Sequence, residues 1–208
     1  YDGTYKFRAG NRWGFFPGIS AGWNVHEEAF FKDSKFAEVV SLIKPRISYG
    51  LNGNVNGIGN FDVYGKYGSV GAYNGNLGYL NTGVVNSKLR WEKSHTFELG
   101  LDLGFFNNRV HMIMDYYNRT TSDLLTDVNL PEYTGFPSFK TNLGTISNRG
   151  FELEAKVNLL TKKDWSWDVT ANTSFVKNMV KKLPFNGNAN NRQGGSRYGI
   201  QNPTHWFG

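Results

Sequence analysis

Strict two-residue alternation, sustained over ten residues, is the property that most narrows what this chain can fold into. From Thr96 to Phe105 one face carries Phe97, Leu99, Leu101, Leu103 and Phe105, and the other carries Thr96, Glu98, Gly100, Asp102 and Gly104. Successive strand side chains point to opposite faces, so this segment divides an apolar environment from a polar one. The pattern returns from Gly150 to Leu159, with Phe151, Leu153, Ala155, Val157 and Leu159 on one side, and from Trp165 to Phe175, with Trp165, Trp167, Val169, Ala171, Thr173 and Phe175. It is looser from Val110 to Arg119, where Ile113 and Tyr117 share a face with His111 and Asp115. Trp13 to Trp23 and Ile43 to Leu51 alternate as well, each with a proline inside (Pro17 and Pro45), so six strands are predicted.

Strand length bears on the surroundings. Segments of about 10 to 11 residues at roughly 3.3 Å each, tilted near 45°, project to about 25 Å, the apolar height of an outer-membrane barrel. Strands of soluble proteins are usually about half as long, although a large soluble β-sandwich also alternates and stays open as an alternative on periodicity alone. Aromatic residues gather at the strand ends (Trp13, Trp23, Phe105, Phe106, Tyr116, Tyr117, Trp165, Trp167), as in the girdles where amphipathic rings meet a membrane interface. Connections alternate too. Residues 106–109 and 161–164 are tight turns, whereas 52–92, 120–148 and 177 onward are long and rich in Gly, Asn and Tyr, matching periplasmic and extracellular ends respectively. The same parity puts the His26 to Leu42 connection on the periplasmic side, where Phe30, Phe31, Phe36, Val39 and Val40 are expected in one short helix against the rim.

Composition agrees. Aromatic residues make up 16 % of the 208 residues and there are 25 glycines, a profile suited to antiparallel strands. Absence of cysteine excludes a disulfide scaffold, a thiolate metal site and a catalytic thiol. The net charge of +6 is spread along the chain, with only pairs such as Lys162-Lys163 and Lys181-Lys182, so no nucleic-acid face is expected. No run approaches the roughly 18 consecutive apolar residues of a membrane helix, which leaves a barrel open. Tyr1 opens a loop-like run without a signal peptide, and the chain is expected to be an interior piece of something longer.

Several blocks, in order, resemble the SusC/RagA-like family of TonB-linked outer-membrane transporters of Bacteroidota. They are Asn11-Arg12-Trp13-Gly14-Phe15-Phe16-Pro17, Ser20-Ala21-Gly22-Trp23-Asn24, Pro45-Arg46-Ile47-Ser48-Tyr49-Gly50, Leu89-Arg90-Trp91-Glu92-Lys93-Ser94 and Asp115-Tyr116-Tyr117-Asn118-Arg119, followed by Asn148-Arg149-Gly150-Phe151-Glu152-Leu153. The likeness extends to about Asn178. It implies an all-β fold: an antiparallel transmembrane β-barrel segment, about six strands of a 22-stranded barrel, with residues 1–208 lying within the barrel domain. It further implies import of oligosaccharides or peptides, a SusD-like surface lipoprotein as lid, contact with outer-membrane lipid, and energy delivered by TonB-ExbB-ExbD through a plug domain. The plug and the C-terminal strand are not expected in this sequence, since Trp206-Phe207-Gly208 does not end a membrane strand, and six strands alone cannot close a wall.

Chemistry-bearing motifs are sparse. His26, His95, His111 and His205 are isolated from one another, and Gly53 to Gly59 lacks the lysine and helix of a phosphate loop, so neither an enzyme nor a cofactor is expected. The sequons at Asn118 and Asn172 fall in or beside strands and are discounted. Glu98, Asp102, Glu152, Glu154 and Asp168 occupy the polar face and are expected to line a wet lumen. Substrate contacts are expected on the long outer loops, where aromatic rings stack on sugars and amides hydrogen-bond hydroxyls: Tyr64, Tyr67, Tyr73, Asn74, Tyr79, Tyr133 and Phe136 are the candidates. Contact with the lipoprotein lid, or bracing of the loops, is the equal alternative for these residues. A siderophore importer of the same barrel class and a soluble carbohydrate-binding β-domain are the rival functions.

Overall fold

The computed structural model describes residues 1–183. Twelve strands occur among them: β1 (Asp2–Gly3), β2 (Trp13–Gly14), β3 (Gly18–Gly22), β4 (Val40–Asn54), β5 (Tyr67–Tyr73), β6 (Asn76–Asn81), β7 (Glu92–Phe105), β8 (Val110–Ser122), β9 (Leu125–Asn129), β10 (Ser138–Asn142), β11 (Thr145–Thr161) and β12 (Ser166–Lys182). Six of them form one antiparallel sheet in the order β12-β11-β8-β7-β4-β3. The five long strands run 13 to 17 residues, well beyond ordinary soluble strands. Five of the six expected alternating segments fall within the long strands, only Trp165 standing one residue before β12, and β12 continues to Lys182, past the Phe175 where the alternation stops.

Register carries the apolar face unbroken across the wall. Ile47, Leu99, Tyr116, Phe151 and Phe175 form one cross-strand row, and Pro45, Leu101, Met114, Leu153 and Thr173 form the next. A slip of one residue would reverse every face, so five strands agreeing in register fixes which side is apolar. Pro45 is tolerated because its carbonyl accepts the Trp23 N–H at 3.0 Å. Its nitrogen therefore faces the β3 side, where no ladder bond to β7 is lost.

Pro17 does break the strand expected from Trp13 to Trp23. Trp13 and Gly14 pair with Gly3 and Asp2, and only Gly18–Gly22 joins the wall. The connection of residues 23–39 likewise departs from a single helix. It holds a four-residue α-helical turn, α1 (Ala29–Lys32), between two 3-10 turns, and leaves Phe30 and Phe36 exposed.

The sheet has two unlike ends. At one end are the turn 106–109, with Phe106, Asn107 and Asn108 all in the left-handed region, the turn 162–165 and the α1 connection. At the other end two further hairpins rise from the long connections: β5 with β6, and β9 with β10. The first turns on Asn74-Gly75, both at positive φ (49° and 80°), the backbone a two-residue type I′ turn requires. Residues 184–208, including the segment around Trp206, lie outside the described residues.

Candidate functional site: the polar face and the outer cap

On the polar face Arg46 of β4 reaches across β7. Its guanidinium donates to Asp102 Oδ1 (Nε at 3.1 Å, Nη2 at 2.8 Å) and to Asp115 Oδ1 on β8 (3.0 Å). The crossing depends on Gly100, because a Cβ there would stand 2.8 Å from Arg46 Cζ. Tyr117 lies over its directly opposite partner Gly150 in the same manner. Asp102 is thus an ion-pair partner tying three strands, a role its place in the alternation did not reveal. Above this tie the face hollows into a trough of about 1020 Å³, lined among others by Ser48, Glu98, Asp115, Arg119, Asn148 and Glu152.

Where the strands end in the long loops, three segments distant in sequence build a small core. Phe7 (0 % exposed), Val63 (0 %), Leu89 (1 %), Ile58 and Trp91 are buried together, with Phe16, Val55 and Leu125 against them. Phe7 and Phe16 meet Trp91 edge-on, at ring-centroid distances of 5.9 and 5.2 Å. The tip of the Phe16 ring sits against Gly53, a position any Cβ would block.

Polar latches surround this cap. Arg90 forks onto Asp123, Nε to Oδ2 at 3.1 Å and Nη2 to Oδ1 at 2.8 Å, with Asp123 held at φ 56°. The Arg90 hydrogen bond holds the Asp123 carboxyl below its ordinary range, against the opposing effect of burial, with help from the charges of Arg90, Lys93 and Lys182. Asn142 spans the same corner, accepting from Arg90 N–H at 2.9 Å and donating to the carbonyls of Arg90 and Asp123 at 2.8 Å each. Buried Glu92 accepts from Leu125 N–H (2.7 Å) and Asn54 Nδ2 (2.6 Å), joining β4, β7 and β9.

The candidate residues fall in three places. Tyr64 belongs to the cap: its hydroxyl accepts from Arg12 Nη2 at 3.2 Å and the Arg8 guanidinium stands 5.8 Å from its ring centroid. Tyr67 and Tyr79 are exposed on the β5–β6 hairpin, at whose end Tyr73 and Asn74 lie. Tyr133 is 90 % exposed at the tip of the β9–β10 hairpin, with Phe136 half-buried beside it. They do not converge on one point. The cap core escaped sequence reasoning because Phe7, Ile58, Val63 and Leu89 share no period, but the Asn74-Gly75 pair between alternating residues was a readable hairpin signal.

An apolar band on one face, a polar trough on the other, short turns at one end and structured loops at the other together define the wall of a membrane-spanning β-barrel. The chain belongs to the TonB dependent receptor-like, beta-barrel family, which matches residues 1–205. It is 37 % identical to TonB-dependent receptor P3 of Formosa agariphila, covering 88 % of this chain and 18 % of that protein. To TonB-dependent receptor SusC of Bacteroides thetaiotaomicron it is 35 % identical, covering 88 % of this chain and 19 % of the relative. Among solved structures it superposes on a chain of the RagAB peptide transporter with a TM-score of 0.79 at 31 % identity, covering 88 % of this chain and 20 % of that one. The chain therefore spans about a fifth of the length of these relatives. Its place is the outer membrane, with the apolar face toward lipid.

Proposed function

We propose that this chain forms part of the wall and outer binding surface of an energy-coupled importer of oligosaccharides or peptides. In this reading a SusD-like lipoprotein closes the outer end, and TonB-ExbB-ExbD drives passage through a plug domain set against the polar face. The observation carrying the proposal is the polar trough of about 1020 Å³ on the polar face of the wall, whose lining reaches Asn52, Arg119, Asn148 and Asn178 toward the loop end of the strands. Similarity to a chain described as part of a peptide transporter supports peptide cargo. Exposed tyrosine rings suit stacking on sugar faces as well as on peptide side chains. Tyr67, Tyr79 and Tyr133 are assigned to cargo or lid contact, together with Tyr73 and Asn74 at the hairpin end; Tyr64 and Phe136 brace the loops behind them.

The test is uptake by cells expressing the full-length protein, offered labelled oligosaccharides, labelled peptides and a ferric siderophore in parallel. Gene deletion is expected to abolish accumulation of one oligosaccharide or peptide class, and Y67A/Y79A/Y133A to weaken it while the barrel still folds. Loss confined to the siderophore, or no loss at all, would overturn the reading.

A further inference from the structure

Charge on the wall is divided by face. In the five long strands Glu92, Glu98, Asp102, Asp115, Glu152, Glu154 and Asp168 all share the parity of the polar face. No carboxylate of these strands faces lipid among the described residues. The lipid face does carry cations, and they cluster at the loop end: Lys93 on β7, Arg149 on β11 and Lys177 and Lys182 on β12. Between the aromatic rows and the short turns, that face carries none.

Arg149 and Lys177 stand directly opposite each other in the ladder. Like charges in that position repel. Neither has a hydrogen-bonded or ionic partner among the described residues, and both are exposed. Beneath them lies a shallow depression of about 260 Å³ whose apolar lining comes from Val176 and from Tyr116, Phe151 and Phe175, which stand in one cross-strand row. An anion placed between the two cations removes the repulsion. Arg supplies a planar fork matched to phosphate oxygens and Lys a compact second charge, while the rings beneath accept acyl chain.

We infer that Arg149 and Lys177 form a binding site for the phosphate-bearing headgroup of an outer-leaflet lipid, seated on the Tyr116, Phe151 and Phe175 rings. Lateral position explains the pairing: a cation snorkelling alone needs no second cation opposite it, whereas a phosphate bridging two strands does. The site sits on the opposite face of the wall from the trough and does not depend on which cargo the protein carries.

Binding is tested on full-length protein, purified and stripped of lipid in non-ionic detergent, by native mass spectrometry with diphosphoryl lipid A. Dephosphorylated lipid A and inorganic phosphate are the comparison probes. Wild type is expected to retain diphosphoryl lipid A and to bind the dephosphorylated form about tenfold less well. Arg149→Gln with Lys177→Gln is expected to lose the same factor, Arg149→Lys to lose less, and Lys162→Gln with Lys163→Gln at the opposite end to lose nothing. Equal binding of the two lipids by wild type overturns the proposal even where the double variant fails to fold. So does undiminished binding by a folded double variant, or full displacement of the lipid by inorganic phosphate at matched concentration, which would mark a site for free anions.

Discussion

The wall and the outer cap of this chain solve the same problem in two solvents. In the wall, Leu99, Phe151 and Phe175 stay exposed on the protein's own account because lipid covers them, and cohesion comes from ladder hydrogen bonds between long neighbours. In the cap, Phe7, Val63 and Leu89 are covered by protein, as in a small soluble domain. Hydrophobic burial therefore locates the cap core but says little about the wall, whose apolar surface is satisfied by the membrane. Substitutions that exchange the two environments should break each region in its own way.

The largest effect is expected from Leu89→Ala, which opens a cavity in a core with no lipid to fill it and should cost about 2 to 5 kcal/mol. Limited proteolysis of the outer loops should accelerate, while heat-modifiable migration of the full-length barrel stays nearly unchanged. Trp91→Phe should cost clearly less, because buried Trp91 Nε1 has no hydrogen-bond partner among the described residues to lose. Next comes Leu101→Lys, at mid-height of the lipid face, with a cost of about 2 to 4 kcal/mol. Here the barrel's unfolding midpoint in denaturant should fall, with loop proteolysis unaffected.

Asp123→Asn is expected to cost about 0.2 to 1 kcal/mol, since Arg90 is half exposed and the pair is screened. Its acid dependence has a definite sign. The folded-state pKa of Asp123 is lowered, so its contribution is present above the unfolded value and is lost as pH falls through the lowered one. Loop proteolysis should therefore rise in acid below the ordinary aspartate range in the wild type, and this component should vanish in the variant. The smallest structural effect belongs to Tyr133→Ala, a 90 % exposed tip residue: within about 0.5 kcal/mol of wild type, with any consequence confined to uptake.

The wall was legible in the sequence because one period governs it. Phe97 to Phe105 and Phe151 to Val157 announce their faces without any knowledge of their neighbours, and even the irregular β8 announced itself through Ile113 and Tyr117, which do stand on the polar face. Register was not legible, so the Arg46 tie across Gly100 to Asp115 could not be foreseen from residues that are 69 apart in the chain. The cap was opaque for a related reason: Phe7, Ile58 and Leu89 come from irregular segments and meet only after the wall has placed their ends. Pro17 was visible, but its consequence depended on whether its neighbours had a partner strand, and Trp13 found one in Gly3. The candidate tyrosines lie in the long connections, but that Tyr64 is tied to Arg8 and Arg12 while Tyr133 stands 90 % exposed depends on contacts between distant segments.

The central claim is that alternate residues of the wall face lipid and water. It is tested most directly by replacing each residue from Thr96 to Phe105 singly with cysteine, in a chain that has none, leaving Gly100 and Gly104 in place because a Cβ there would meet Arg46 and Asn108. The full-length protein is then labelled in its own outer membrane with a water-soluble maleimide. Labelling is expected at positions 96, 98 and 102, with protection at 97, 99, 101, 103 and 105, where a lipid-soluble quencher should instead reach the probe. Uniform labelling, or labelling with the two sets exchanged, would contradict the account.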